Sequence, residues 1–480
     1  MKLRWIWLVF LTLYVVSNMN AVSIEHLIKQ GELKKAITRA DKILLRYKPQ
    51  QAKYKQIDSL RQIAKRTYLD FSIPESEILE KLQNKDVNAT QNELTDWERK
   101  GWLEYKILDG RKFYFNRAIG NLKLRLKQQH DQGNPAQYKP ERFDGFKIND
   151  AQRTIANAEL ESSQPEHRFR IKYKVTVQPN AIPNGETVRC WLPWPKENHP
   201  TQFELKMLNS NLLHAVVAPN SQIHRTIYVE KQAVADIPTI FEMEFEIATR
   251  ARWFDPDKLE PKAYNRNSRI FRTYTAQQAP HIVFSKKIRS LTDKIVGDAT
   301  HPFVIVEKIY DFVCSHTIWS GAQEYGIMDQ IPHYVIDYGK GDCGMQTLLF
   351  MSMARYKGIP VRWQSGFMLH PGEVNLHDWC EVYYEGIGWV PLDMSFQWLK
   401  TDIKKIRSFY MTGLDAYRLI INDGIGGQLY PSKTYFRSEP FDFQRGELEW
   451  RGGNLYFNAW TYSIEVHEIS QNETDKFEKE

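Results

Sequence analysis

Cysteine is scarce in this chain. Its 480 residues include four, Cys190, Cys314, Cys343 and Cys380, too few to staple a disulfide scaffold. If one must stay free, three remain, and at least one of those is unpaired within the chain. Buried thiols are therefore tolerated, even in an oxidising compartment. A glycine-rich phosphate loop, an internal repeat and a low-complexity tract are all missing, which sets aside nucleotide-cradling and solenoid architectures. No basic run stands out. Lys and Arg total 65 against 58 for Asp and Glu, a net charge of +7 that shrinks once the leader described below is removed. Interleaved charge of this kind is a solvated surface, so no nucleic-acid partner is expected. No loop has the acidic pattern that holds calcium. Beyond the N-terminus no apolar stretch is long enough to span a bilayer.

The N-terminus reads MKLRWIWLVFLTLYVVSNMNA. Lys2 and Arg4 precede an apolar run from Trp5 to Val16, with small and polar residues after it and Ala21 at a plausible cleavage point. This is the pattern of a signal peptide, and the run is short for a membrane span. The expectation is a mature chain in the periplasm or outside the cell, with no stable membrane insertion. An uncleaved anchor is the alternative. No cysteine follows the run, which argues against lipid modification.

Aromatic residues make up 13% of the chain, in keeping with a folded protein. From about Ser23 to Arg125 apolar residues recur at helical spacing, as in "HLIKQGELKKAITRADKILLRY". Asp109-Gly110 inside "GWLEYKILDGRKFYFNRA" predicts a two-residue hairpin turn. Helices plus a hairpin could form a winged-helix DNA reader, but an export leader favours a packing or interaction domain. "QQHDQGNPAQYKPERFDGFK" reads as a linker. From His167 strands alternate in "RFRIKYKVTVQP" and "TIFEMEFEIATRARW", predicting a β-sandwich. Helices return after Lys262, followed by the short strands "VRWQSGFML", "DWCEVYYE" and "GWVPLDMSF", and further strands follow residue 400.

The chemistry concentrates in "GDCGMQTLLFMSMARYKGIP". Asp342 is a natural helix cap, and Cys343 falls in the first turn, where unpaired N–H groups and the helix dipole favour a thiolate. Gly341 and Gly344 leave room for a substrate. The apolar helix body predicts burial and a rigidly held nucleophile. His377 precedes one strand and Asp393 ends the next. The Gly386-Ile387-Gly388 turn pairs those strands antiparallel, so imidazole and carboxylate become neighbours. Nucleophile, base and orienting acid are then all present. A Cys343–His377 ion pair is expected, with alkylation of the thiol persisting into mild acid. Asp378 is expected to point to the opposite strand face from His377. Cys314 and Cys380 read as core residues. His370 stands close to His377, but "HPGEVNLH" supplies no third ligand, so no metal site is read there.

"GDC…GIPVRWQSG…HDW.EVY…GWVPLDMS" resembles the transglutaminase-like cysteine enzymes, a branch of the papain-like thiol enzymes, over about Gly341 to Ser395. "IPNGETVRCWLPWP" is similar to the N-terminal domain that often precedes bacterial members. The resemblance implies Cys343, His377 and Asp393 as the catalytic triad, in that chain order and without substitution. It implies an oxyanion donor upstream of the cysteine, for which Trp319 and Gln323 are candidates beside the Cys343 N–H. Trp379 and Trp389 are candidates to wall the substrate groove. No cofactor is implied.

The expected fold is α+β and multidomain: a papain-like, transglutaminase-like core in which the cysteine helix packs on an antiparallel sheet. The divisions are a signal peptide at 1–21, a helical domain with a β-hairpin at 22–130, a linker at 131–165, a sandwich at 166–262, the catalytic core at 263–400 and a C-terminal β extension at 401–480. The expected activity is a secreted cysteine peptidase or amidase acting on protein or peptide, cell-wall peptide included, through a thioester on Cys343. The alternatives are a protein-glutamine γ-glutamyltransferase that crosslinks, and a non-catalytic binding scaffold.

Overall fold

The structure, a computed structural model, describes residues 23–131, 147–162 and 166–469. The expected signal peptide, the first part of the expected linker and the polar tail lie outside the described residues. The chain divides into two compact units. One holds the described residues up to Asp131 with Gly321–Met328 and Thr434–Phe436, and the other holds the rest. Among the described residues no helix is long and apolar enough to cross a membrane.

The first unit contains α1 (Leu33–Leu44), α2 (Ala52–Asp70), α3 (Ile78–Gln83), α4 (Gln91–Arg99) and α5 (Ala118–Asp131), with short strands β1 (Ile73–Pro74), β2 (Tyr105–Leu108) and β3 (Arg111–Tyr114). Helix α1 buries Leu33, Ala36, Ala40, Ile43 and Leu44, one face at helical spacing. Helix α4 starts with a reciprocal capping box between Thr90 and Glu93. The β2–β3 turn is the predicted one: Asp109 and Gly110 have φ of 46° and 80°, the left-handed pair that a two-residue hairpin demands. β1 adds to make a sheet of order β1-β3-β2. The returning segment is tied in by Asn121, whose side chain exchanges two hydrogen bonds with the Gly321 backbone at 2.9 and 2.7 Å.

The second unit opens with α6 (Lys147–Glu161), which falls within the segment expected to be linker. Its "IANAELE" stretch buries Ala156 and part-buries Leu160 against a cluster with Trp379 and Phe396. The strands that follow are β4 (Glu166–Val177), β5 (Thr187–Pro193), β6 (Gln202–Ser210), β7 (Val216–Val217), β8 (Thr226–Gln232), β9 (Thr239–Arg250) and β10 (Arg252–Trp253). Next come α7 (Arg269–Tyr274), α8 (Lys286–Val296), α9 (Pro302–His316), β11 (Ile318–Trp319), α10 (Ile331–Tyr338), β12 (Lys340–Gly341) and α11 (Cys343–Tyr356). The remaining strands are β13 (Val361–His370), β14 (Glu373–Tyr384), β15 (Gly388–Leu392), β16 (Gly413–Leu414), β17 (Arg418–Asn422), β18 (Glu447–Trp450), β19 (Gly453–Leu455) and β20 (Trp460–Ile469).

Two sheets, of order β20-β4-β9-β6 and β19-β18-β5-β8-β7, share one core. β4 sends Phe169, Ile171, Tyr173, Val175 and Val177 inward, the period of two that its sequence shows. The strands after residue 400 are not a separate extension. β18 pairs with β5 and β20 with β4, so each sheet of the sandwich is completed from the far end of the chain. A third sheet, of order β15-β14-β13-β17, carries the site. Phe367, Leu369, Leu419 and Ile421 of its β13 and β17 join the sandwich core, so the sandwich and this third sheet are one packed body. The expected boundary at residue 400 is crossed by β17.

Candidate active site

Helix α11 starts where the sequence places it. The Asp342 carboxylate accepts the Met345 N–H at 3.0 Å, and every residue from Cys343 to Arg355 is buried. Met345, Leu348, Leu349 and Met353 fix the helix by packing, at roughly 1.5–3 kcal/mol for each fully buried apolar side chain. Cys343 is 9% exposed, at the margin of this buried surface. Its N–H stands in the first turn, where no intrahelical acceptor is available.

The β14–β15 hairpin does what its turn predicts. Cys380 pairs with Leu392, which leaves Asp393 just past the strand end. The His377 Nε2–H donates to Asp393 Oδ2 at 2.7 Å. That bond fixes the neutral ring as the Nε2–H tautomer and leaves the lone pair on Nδ1. Phe396 stacks on the imidazole with centroids 5.2 Å apart and planes 11° apart, excluding water from one ring face. Ser395 donates its backbone N–H to Asp393 Oδ1 at 3.0 Å, and its hydroxyl bonds the same oxygen.

Arg418, at the start of β17, is a site residue that the sequence motifs do not mark. Its guanidinium is 3.0 Å from Asp393 Oδ2 and 3.5 Å from Asp415 Oδ2, with all three groups buried. Burial alone pushes the Asp393 carboxyl up, but His377 and Arg418 outweigh it and hold it down at about 2. Asp415 also accepts from Tyr410 at 2.8 Å and bonds His370 Nε2 at 3.1 Å, while His370 Nδ1 meets Gln152 at 3.0 Å. His370 therefore serves this buried network with both ring nitrogens. A signal for Arg418 does exist: an arginine opening the apolar run "RLIIN" has to find anions once that strand is buried.

The thiol differs from expectation. Cys343 Sγ donates to Asp378 Oδ2 at 3.4 Å, and among the described residues no hydrogen bond joins Cys343 to His377. Asp378 was expected to point away. It lies opposite Ser365, and His377 opposite Gly366, where a bulge in the β13–β17 pairing falls between those two residues. The extra residue of that bulge is Ile421 on β17, while β14 pairs with β13 without a break through His377 and Asp378, so those two keep opposite faces and it is the Asp378 carboxylate that reaches the sulfur. Gly366 permits the close approach, since a Cβ there would lie 1.9 Å from Leu419 O.

The charge state differs too. Burial, then Asp378 and Asp342, push the Cys343 thiol well up. Burial lowers His377, with Asp393 opposing. Both directions favour a neutral thiol and a neutral imidazole over the expected ion pair.

The remaining candidates separate. Trp319 is 49% exposed on β11, which pairs in parallel with β12 so that Trp319 lies opposite Gly341, beside the entry to the Cys343 helix. Gln323 belongs to the first unit, where its amide donates to Glu104 at 2.7 Å. Trp379 is fully buried, with its indole N–H on Gln364 at 2.7 Å, and serves as core instead of a groove wall. Trp389 stands near the hairpin tip, opposite Tyr383 and under the Arg362 guanidinium, away from the end that carries His377. Cys190, Cys314 and Cys380 are buried and unpaired.

Residues 289–394 match the family model of the transglutaminase-like superfamily, a stretch that includes Cys343, His377 and Asp393. The chain carries a transglutaminase-like domain. A search of curated proteins finds no match. Solved structures similar to the chain include a candidate cysteine protease from Cytophaga hutchinsonii, at 14% identity over 64% of this chain and 93% of that one, with a TM-score of 0.42. The periplasmic domain of TgpA from Pseudomonas aeruginosa matches at 14% identity over 54% of this chain and 94% of that one, with a TM-score of 0.26. Scores this low carry no weight. The transglutaminase-like assignment rests on the family match and on the residues of the site.

Proposed function

We propose that this transglutaminase-like protein is a cysteine amidase or peptidase that acts on protein or peptide substrates through a thioester on Cys343. The supporting observation is the bond between His377 Nε2 and Asp393, which leaves Nδ1 as the ring's basic nitrogen, in a fold that sets Cys343 at a helix start. Nδ1 takes the thiol proton as sulfur attacks the amide carbonyl. The Cys343 N–H is one donor for the developing oxyanion and the Trp319 indole is a candidate for the second. Collapse of the intermediate expels the amine, which takes the proton from His377. Water then attacks the thioester, giving up its proton to Nδ1, and the carboxylic acid and free thiol are released. Asp393 keeps the ring oriented and stabilises the imidazolium. No step calls for a cofactor.

The N-terminal pattern from Met1 to Ala21 supports a periplasmic or secreted site of action, where envelope proteins and cell-wall peptides offer suitable amides. Intact mass of material from expressing cells tests this, and retention of Met1 to Ala21 in a membrane fraction would point to an anchor.

The deciding experiment incubates the chain with an envelope extract, traps the acyl-enzyme and identifies the attached group by mass spectrometry. Cys343→Ala should abolish the adduct while the fold survives. Release of the acyl group to water supports hydrolysis. Release to an added amine instead marks a crosslinking transferase, which would use the same three residues. No adduct on Cys343 with any extract leaves only a binding scaffold.

A further inference from the structure

A carboxyl group is a poor neighbour for a nucleophilic thiol, because its charge opposes formation of the thiolate. Yet the acceptor for Cys343 Sγ is built with care. Gln444 Nε2 donates to Asp378 Oδ1 at 3.1 Å and also reaches the carbonyls of Gly366 and His377 at 3.0 and 2.9 Å. Asp442 lies against Asp378 and is anchored by Ser365 Oγ at 2.5 Å and Asn422 Nδ2 at 3.2 Å. Asn422 is itself fixed by His224 Nδ1 at 2.9 Å. Asp378 and Asp442 are both buried and adjacent, a placement that disfavours a full charge on each. Burial and their mutual repulsion raise Asp378, and burial with Glu439 raises Asp442 to about 6. The charged groups ranged around the sulfur are Asp342 at its own helix start, Asp378 on β14, Asp442 before β18 and Asp393 after β15, with His377 and Arg418 engaged by Asp393.

We propose that Asp378 is a latch on the nucleophile: it accepts the Cys343 thiol hydrogen bond in the resting site, keeps the proton on sulfur and the sulfur off the imidazole, and yields when bound substrate displaces that bond so that His377 takes the proton. This rests on the proposed thiol chemistry and adds its control. The resting enzyme is then slow toward stray electrophiles and oxidants, and reactivity appears only with substrate in place. Asp378 touches the reacting atom, and it delays the reaction instead of driving it.

The test is alkylation of the full chain by iodoacetamide from pH 5 to pH 9, with peptide mass mapping to score Cys343 apart from the other three cysteines. Asp378→Asn keeps the shape and the Gln444 contact but takes the negative charge off the group that faces the sulfur. Asp378→Ala removes the acceptor as well. Both should displace the Cys343 rate profile to lower pH, Ala further than Asn. For every whole pH step of that displacement, the rate at pH 7 should rise about tenfold. A profile in Asp378→Asn that stays put or moves to higher pH overturns the latch. Asn is close to isosteric, so it decides the matter even if the Ala variant fails to fold. The readout needs no substrate, so a failed latch is distinct from a failed enzyme assignment, which the acyl-enzyme experiment judges separately.

Discussion

His377 meets Asp393 through Nε2 at 2.7 Å, with Phe396 stacked on the ring, so the imidazole is held from the side that does not react. An amide in place of the carboxylate can hydrogen-bond but cannot stabilise the imidazolium, and it can present its N–H₂ and select the wrong tautomer. Asp393→Asn should therefore cut the rate of Cys343 acylation by an activated ester by about 10²–10⁴-fold, with little change in unfolding temperature. Acylation at the native rate in this variant would remove Asp393 from the mechanism.

The pH dependence should split in two. Burial lowers His377 below the ordinary imidazole range, and a base works only when neutral. Acylation should therefore persist below pH about 6.5, with its acidic limb beneath that value. The thiol is raised by burial, Asp378 and Asp342. Alkylation without substrate should then climb only above the free-cysteine value of about 8.5. Coincident profiles would mean that a resting thiolate–imidazolium pair exists after all.

Arg418 anchors the carboxylates. Asp393 is depressed to about 2 in the fold, below roughly 3.9 in an unfolded chain. Its contribution is complete above the unfolded value and is lost as pH falls through the folded one, a window worth roughly 2.6 kcal/mol. Arg418→Met strips the cation from two buried carboxylates. It should cost about 3–5 kcal/mol at neutral pH and move the acid-unfolding midpoint upward. Urea titrations between pH 3 and 7 measure both, and an unmoved midpoint counts against the anchoring role.

Gly366 is the third sensitive point. A methyl group 1.9 Å from Leu419 O forces β13 and β17 apart at the bulge opposite His377 and Asp378. Gly366→Ala should lose about 1–3 kcal/mol and lose acylation beyond what the unfolded fraction explains. A stable and fully active variant would show that the bulge does not position the site.

The helix start at Cys343 and the meeting of His377 with Asp393 were legible because each is local. A cap and helix start set Cys343, and one short turn brings His377 to Asp393. Asp378, Arg418, Asp442 and Gln444 were not legible in their roles, because their meeting depends on strand pairings between distant parts of the chain. Alternation put Asp378 on the opposite face from His377, but which groups meet Cys343 on that face cannot be read from spacing. Trp379 lies in the core and not along a groove, because an aromatic beside a strand histidine serves either place equally well in sequence. Helix α6 was hidden by the Gly- and Pro-bearing stretch before it, although Ile155, Ala156 and Leu160 carry helical spacing.

The pairing of β20 with β4 and of β18 with β5 has a consequence for synthesis. A chain emerging from the ribosome exposes β4 and β5 long before their neighbours Trp460 and Leu448 exist. Contacts so distant in sequence form late. Asp442 and Gln444, which steady Asp378 behind the thiol, emerge just ahead of β18. The nucleophile thus reaches its finished surroundings only near the end of translation. A fragment cut short before Glu447 keeps the sheet under the Cys343 helix but leaves β4 and β5 without the neighbours that complete each sandwich sheet, so incomplete chains would expose open strand edges and be clients for proteolysis.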